Sequence, residues 1–355
     1  MPCENASHAL NLTGSPYHHS VVNSVLLGTV GVVGNLIALW ILYRHKSTAR
    51  SQHVSVFYVL VTGLAWTDLV GKVLLSPMVV VSYALSRSLC SVSGALCTLF
   101  AVLMCFFGLC SMGILLAMAL ECLLSIGHPY LYQQLVTRRR ALLILLGIYL
   151  FCLLVCLLPV AGFGKYKQYS PGTWCFIDMS AKDPAHKAFS VLYATLIGVM
   201  ILAIVVCNVV VKINLLKMYI LSRRQKSWTV SFEGAEQRNQ TAAPQSRHPE
   251  ELDHLVILVL MTLIFIVCSV PITVRAYINA NRSDSSDEKA EVLDLMALRF
   301  LSVNSCVDPW VFIILRTSLC RALVHKFSSK VCFTRNRRPS LKTLEVVAPH
   351  MTTIT

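Results

Sequence analysis

An all-α membrane fold, a bundle of seven spanning helices followed by a short amphipathic eighth, is predicted by three features of this sequence. The first is composition. The chain has 355 residues, 55% hydrophobic and only 14% charged, with a mean hydropathy of +0.65. A water-soluble chain of this length carries roughly a quarter charged residues. The second is a set of seven apolar runs, near 20–43, 54–84, 94–126, 141–161, 187–211, 254–279 and 292–315. Each reaches the roughly 20 residues that a helix needs to cross a bilayer core. Helices are required because the backbone must satisfy itself there. The third is charge placement. Most of the 31 Lys and Arg fall in segments 44–50, 138–140, 212–251 and 316–355, not in the alternate connections. The positive-inside rule then predicts an external N-terminus and a cytoplasmic C-terminus. The net charge of +14 needs no nucleic acid, because the basic faces meet anionic lipid and a cytoplasmic partner.

Residues 1–19 read as an external tail. They lack a basic segment followed by an apolar core, so a cleaved signal peptide is not expected and the first span serves for insertion. Asn5-Ala6-Ser7 and Asn11-Leu12-Thr13 are glycosylation sequons in that tail, and Asn281-Arg282-Ser283 is a third in the external loop before the last span. Asn239-Gln240-Thr241 also fits the pattern but falls on the cytoplasmic side, where it is accidental. Residues 20–315 form the transmembrane domain. Within it, the polar stretch 221–250 reads as a flexible loop between spans five and six. Residues 316–329 (RTSLCRALVHKFSS) alternate basic and apolar positions at helical spacing, as a membrane-surface helix does. Residues 330–355 read as a disordered cytoplasmic tail. Cys332 is either a palmitoylation site or a plain thiol. Arg337-Arg338-Pro339-Ser340 is either a kinase site at Ser340 or a basic stretch on anionic lipid.

Arg299 lies inside the seventh run. A guanidinium keeps its proton, and placing one at a helix centre costs about 2.5–3.5 kcal/mol on insertion scales. Such a residue faces a cavity and a partner. Arginine grips a carboxylate with two parallel hydrogen bonds, so an acidic, mostly apolar small molecule is one candidate partner. Asp294, five residues earlier, is the other. Lys72 follows Asp68 by four residues on one helical face. It either neutralises that acid or points into a pocket, with Ser76 one turn further out.

His18-His19 and the other histidines show no ligand spacing, so a metal site is not expected. No nucleophile and base stand together. The sequence implies neither enzymatic activity nor a cofactor. A transporter for organic anions would also place Arg299 in the membrane, but it would show paired repeats and interrupted helices, which are not visible.

Several motifs carry a family resemblance. Gly34-Asn35 falls in span one, Leu64-Ala65-Trp66-Thr67-Asp68 in span two, Pro271 in span six and Asp308-Pro309 in span seven. Cys97 precedes Glu121 by 24 residues. In order, and over nearly the whole chain, these resemble the rhodopsin-like G-protein-coupled receptors. Three departures stand out. Glu121-Cys122-Leu123 lacks the family's arginine, Cys268-Ser269-Val270-Pro271 lacks its tryptophan, and Asp308-Pro309-Trp310-Val311-Phe312 lacks its tyrosine. The departures resemble one subfamily, the prostanoid receptors. So do Gly172-Thr173-Trp174-Cys175-Phe176 and Leu298-Arg299-Phe300-Leu301-Ser302. Gly71-Lys72, Gly162-Phe163-Gly164-Lys165 and Glu250-Glu251-Leu252-Asp253-His254-Leu255 lean to the D-type branch. Leu301-Ser302-Val303-Asn304-Ser305 leans to a Gs-coupled E-type branch.

The resemblance implies a prostaglandin as ligand, D type first, with E type or prostacyclin as alternatives. It implies coupling to the heterotrimeric G protein Gs, rising cyclic AMP and residence in the plasma membrane. It implies that Arg299 and the Thr173 hydroxyl meet the ligand carboxylate, that Tyr83 and Trp174 lie beside it, and that Lys72, Ser76 and Ser302 meet its ring or chain. It implies a disulfide between Cys97 and Cys175, which share an oxidising compartment. Asp68, Glu121, Pro271 and Asp308 take the activation positions. Glu121, without the neighbouring arginine, needs another partner. Lys72 takes the place of a sodium ion beside Asp68. Ser170 stands where related receptors carry a cysteine joined to the N-terminal region, so Cys3 lacks that partner and a second external disulfide is not expected.

Overall fold

The computed structural model describes residues 18–48, 56–85, 87–169, 172–232, 248–281 and 288–316. Asn5, Asn11, Cys332, Ser340 and all but the first residue of the predicted 316–329 helix lie outside them.

Among the described residues, seven helices are long and apolar enough to cross a membrane. They lie in α1 (His18–Thr48), α2 (Val56–Ala84), α4 (Gly94–Gly127), α6 (Arg138–Leu157), α7 (Pro184–Phe232), α8 (His248–Asn281) and α9 (Glu288–Arg316). Two short helices, α3 (Leu89–Val92) and α5 (Pro129–Leu135), flank α4. Ser93 caps α4 by accepting from the Ala95 amide, and Thr137 caps α6 by accepting from the Arg140 amide. Large side chains such as Leu143 and Leu154 stay exposed on the flanks, a surface that only lipid solvates favourably.

The helix α4 runs through the middle, packed against α2, α6, α7 and α8. Along α1, glycines recur every three residues at 28, 31 and 34. A Cβ on Gly34 would stand 2.8 Å from Trp310 Nε1, and one on Gly31 would stand 3.2 Å from the Lys72 stem and from Cys306 Sγ. Bare backbone on that face lets α1 approach α2 and α9 closely. Asn35 then reaches across and donates to the Ser305 carbonyl at 3.1 Å. Pro77, Pro271 and Pro309 lie inside helices, where each removes one backbone hydrogen bond.

The predicted 221–250 loop is shorter than expected, because α7 continues to Phe232 and α8 begins at His248. No Gly or Pro falls between 199 and 233, so nothing local stops the helix.

At one end of the bundle a hairpin lies over the helices. Its strands, β1 (Tyr166–Tyr169) and β2 (Trp174–Ile177), pair antiparallel with Tyr169 opposite Trp174. Gly172 turns the chain at φ +105°, and a Cβ there would come within 2.8 Å of Ser88. Its carbonyl accepts from the Leu89 amide at 3.0 Å, and Gln168 Oε1 accepts from the Cys90 amide at 2.9 Å. The hairpin is thus fastened to α3. The Cys97–Cys175 disulfide, with Cα atoms 5.5 Å apart, fastens it to α4. Cys90 is also disulfide-bonded. Its partner lies outside the described residues. This corrects the expectation of a single bridge: Ser170 removes one cysteine from the external face, but Cys90 of α3 is bonded there.

Closing a loop across the 78-residue separation of Cys97 and Cys175 stabilises by about 2–4 kcal/mol. Cys97→Ser and Cys175→Ser should each lower the thermal midpoint of the detergent-solubilised protein. The double variant should fall no lower than either single, since both remove one bond. Additive losses in the melting curves would mean that the thiols act separately.

Candidate functional site

Beneath the hairpin the helices enclose a cavity of about 410 Å³, within the range of small-molecule sites. Its walls follow from the packing. Gly28 leaves room on α1, where a Cβ would meet Ser76 Oγ at 3.0 Å. Phe100, Met104 and Phe107 form an apolar wall on α4, and Phe265 adds α8. Trp174 closes the hairpin end, its ring edge-to-face on Phe100 at 5.9 Å. Asp68, Ser111, Asn304 and Ser305 line the other end.

Of the seven predicted ligand residues, Arg299, Lys72, Ser76, Ser302 and Trp174 line this cavity. Thr173 and Tyr83 do not. Both are buried, and the Thr173 hydroxyl donates to the Tyr83 hydroxyl at 3.3 Å. Lys72 differs from its simpler reading. Its ammonium crosses to α9 and donates to the Ser302 carbonyl at 2.7 Å and to Ser302 Oγ at 3.1 Å. Asp68 instead accepts from Ser111 Oγ at 2.8 Å. The hydrogen bonds of Lys72 form a cross-tie between α2 and α9, and it acts on Asp68 through its charge alone.

The acid nearest Arg299 in sequence is already engaged. Arg275 Nε donates to Asp294 Oδ1 at 2.6 Å, and Asn279 Nδ2 donates to both carboxylate oxygens, at 3.0 and 2.9 Å. Neither α8 residue was visible as a partner in the sequence, because nothing there gives the rotation of one helix against the next. In the hairpin, burial followed by the charges of Asp294 and Asp178 holds the Tyr169 phenol well above its ordinary range. It stays neutral and donates a hydrogen bond to the Ile177 carbonyl at 2.7 Å.

Among the residues expected at activation positions, Asp308 Oδ2 accepts from Asn304 Nδ2 at 3.1 Å. Glu121, at the end of α4 far from the hairpin, accepts from the Tyr132 hydroxyl of α5 at 2.7 Å. Tyr132 thus fills a role left open by the missing arginine. Arg140 of α6 caps the same short helix, donating to the carbonyls of Gln134 and Leu135 at 3.0 and 2.9 Å. Pro271 lies within α8. Asn281, the last residue of α8, is exposed. Among the described residues no group of three or more His, Cys, Asp or Glu is placed to hold a metal ion.

This architecture is shared. The crystal structure of squid rhodopsin matches with a TM-score of 0.68 and 16% identity, over 89% of this chain and 86% of that one. The profile of the 7 transmembrane receptor (rhodopsin family) matches residues 34–312, and the chain belongs to that family of multi-pass membrane receptors. The mouse Prostaglandin D2 receptor is 47% identical over 332 residues, covering 89% of this chain and 91% of that protein. The human Prostaglandin D2 receptor is 43% identical, covering 92% and 94%. The human Prostacyclin receptor is 43% identical, covering 90% and 78%. Within the family, the chain falls among the prostanoid receptors. Its relatives are receptors and not enzymes or transporters.

A hydrogen bond to a charged group contributes about 1.5–3 kcal/mol. Tyr132→Phe should therefore lower the thermal midpoint and raise ligand-independent nucleotide exchange on a supplied G protein, because it releases α5 from the end of α4. Unchanged basal exchange would show that this bond is only structural.

Proposed function

We propose that this chain is a plasma-membrane receptor for a prostaglandin, the D type first, which couples through Gs to raise cyclic AMP. The observation that carries the reading is Arg299 in the wall of the cavity that Lys72 and Ser302 also line. A guanidinium facing an intramembrane cavity suits an anionic guest. The fork of arginine suits a carboxylate, and Phe100, Met104 and Phe107 suit an apolar chain. Thr173 and Tyr83, paired under the hairpin, complete the carboxylate site in this reading. Trp174 covers the guest, and Ser76 borders it from α2. The hairpin end faces outward, as the charge distribution expects. The guest favours the conformation whose opposite face accepts the G protein, a shift of population driven by differential affinity.

The D-type assignment is supported by the Gly71-Lys72 pair and by the relatives named above. The second reading is an E-type or prostacyclin receptor. It is favoured by Leu301-Ser302-Val303-Asn304-Ser305 and by a rat Prostaglandin E2 receptor EP2 subtype at 41% identity, covering 90% of this chain and 88% of that protein. A competition panel of prostaglandins D2, E2 and prostacyclin analogues, read out as cyclic AMP, separates the two. A panel with no cyclic AMP response to any of them removes both.

Arg299→Ala should cost about 2–5 kcal/mol of binding, about 30- to several-thousand-fold in Kd, at normal surface expression. Arg299→Lys should recover part of the loss, since it restores charge without the fork. Unaltered affinity in Arg299→Ala refutes the site. Lys72→Thr should change the preference between D2 and E2 by roughly 1–3 kcal/mol. Parallel competition curves with an equal loss for both ligands would assign Lys72 to structure alone.

A further inference from the structure

The cluster around Asp294 does more than occupy an acid. Asp294 is buried and lies five residues before Arg299 on α9. Two residues of α8, one turn apart, clasp two positions of α9, also one turn apart. Arg275 Nε and Asn279 Nδ2 hold the carboxylate. Arg275 Nη2 donates to the Ala290 carbonyl at 3.0 Å and to Asn279 Oδ1 at 3.2 Å. Lys167 of β1 lies 3.9 Å from Glu291 on the same stretch of α9. None of Arg275, Asn279 and Asp294 lines the cavity.

The position along α8 matters. Pro271 is four residues before Arg275, about one turn deeper into the bundle. Its nitrogen carries no hydrogen, so the Val267 carbonyl loses its helical donor. On the hairpin side of that break, α8 is bound to α9 by an ion pair and three further side-chain contacts. On the other side it is bound to α7 through Asn208 Nδ2 donating to Thr262 Oγ1 at 2.9 Å. Both halves of α8 meet α7, since the Tyr277 and Thr195 hydroxyls share a hydrogen bond at 2.7 Å on the hairpin side, but among the described residues only the hairpin-side half carries an ion pair to α9.

We propose that the Arg275–Asn279–Asp294 clasp joins the hairpin-end halves of α8 and α9 into one body, so that a guest gripped on α9 moves both and Pro271 passes the movement to the far half of α8. Arg275, Asn279 and Asp294 are positioning residues. The proposal rests on the reading of Arg299 as the residue that grips the guest.

The test uses the full-length receptor in cell membranes. Wild type, Asp294→Asn, Arg275→Gln, Asn279→Ala and the exchange Arg275→Asp/Asp294→Arg are compared at matched surface density. Two quantities are read: Kd for tritiated prostaglandin D2, and maximal nucleotide exchange on a supplied G protein at saturating ligand. Asp294→Asn and Arg275→Gln should cut maximal exchange at least fivefold while Kd moves less than threefold. The exchanged pair should recover at least half of the maximum. Asn279→Ala leaves the ion pair and should show an intermediate loss, which keeps the test readable where a charge variant fails to reach the surface. Full maximal exchange in these single variants overturns the clasp. So does a Kd that rises in step with the loss of exchange, or an exchanged pair no better than the singles. Arg299→Ala, run beside them, tells the two readings apart: normal binding there defeats the ligand site, whereas the clasp fails on exchange with binding intact.

Discussion

A charge placed in hydrocarbon must find a partner, and the interior of this bundle is organised by that demand. Four of the buried ions are answered from another helix. Asp68 of α2 takes the Ser111 hydroxyl of α4. Lys72 of α2 takes the Ser302 carbonyl of α9. Asp294 of α9 takes Arg275 and Asn279 of α8. Glu121 of α4 takes the Tyr132 hydroxyl of α5. Apolar packing alone drives helices together weakly in lipid, where the tails are as greasy as leucine. The polar cross-links therefore set which faces meet, and leaving any of them half made would strand a polar group at several times its net worth.

Close approach makes those links possible. The bare face of Gly28, Gly31 and Gly34 brings α1 against α2 and α9, and the Lys72 stem lies along it. The hairpin is governed by the same economy of space. Gly172 turns where a side chain would strike Ser88, and the disulfide to Cys97 holds Trp174 over the cavity mouth.

The seven spans were legible because bilayer thickness imposes a length that shows directly in hydropathy. Arg299 was legible because a permanent charge in such a run has few benign explanations. Cys97 with Cys175, and the set of Lys72, Ser76, Ser302 and Trp174, were legible through motif order. What could not be read was the relation between helices. Arg275 and Asn279 look like ordinary residues near the end of a span until α8 is rotated against α9. Tyr132 lies in a short connecting helix whose direction the sequence leaves open. The Lys72 stem has several rotamers, and only the position of α9 selects one. The extension of α7 to Phe232 is masked by polar composition, although no residue there opposes a helix. Cys90 stands in no motif of its own, and position 170 is a serine, so the sequence carries no sign of its bond.

The cross-tie from Lys72 to Ser302 has a mechanical side. It is a strap across the cavity, holding α2 and α9 at a set width while the space between them is open to a guest. A molecule that fills the cavity but ignores the lysine leaves the strap fastened. One that draws the ammonium to itself unfastens it and gives the two helices slack. Two guests held equally tightly would then leave the bundle with different stiffness. How strongly a molecule is held and how far it frees the walls around it become separable properties, decided by a single amine.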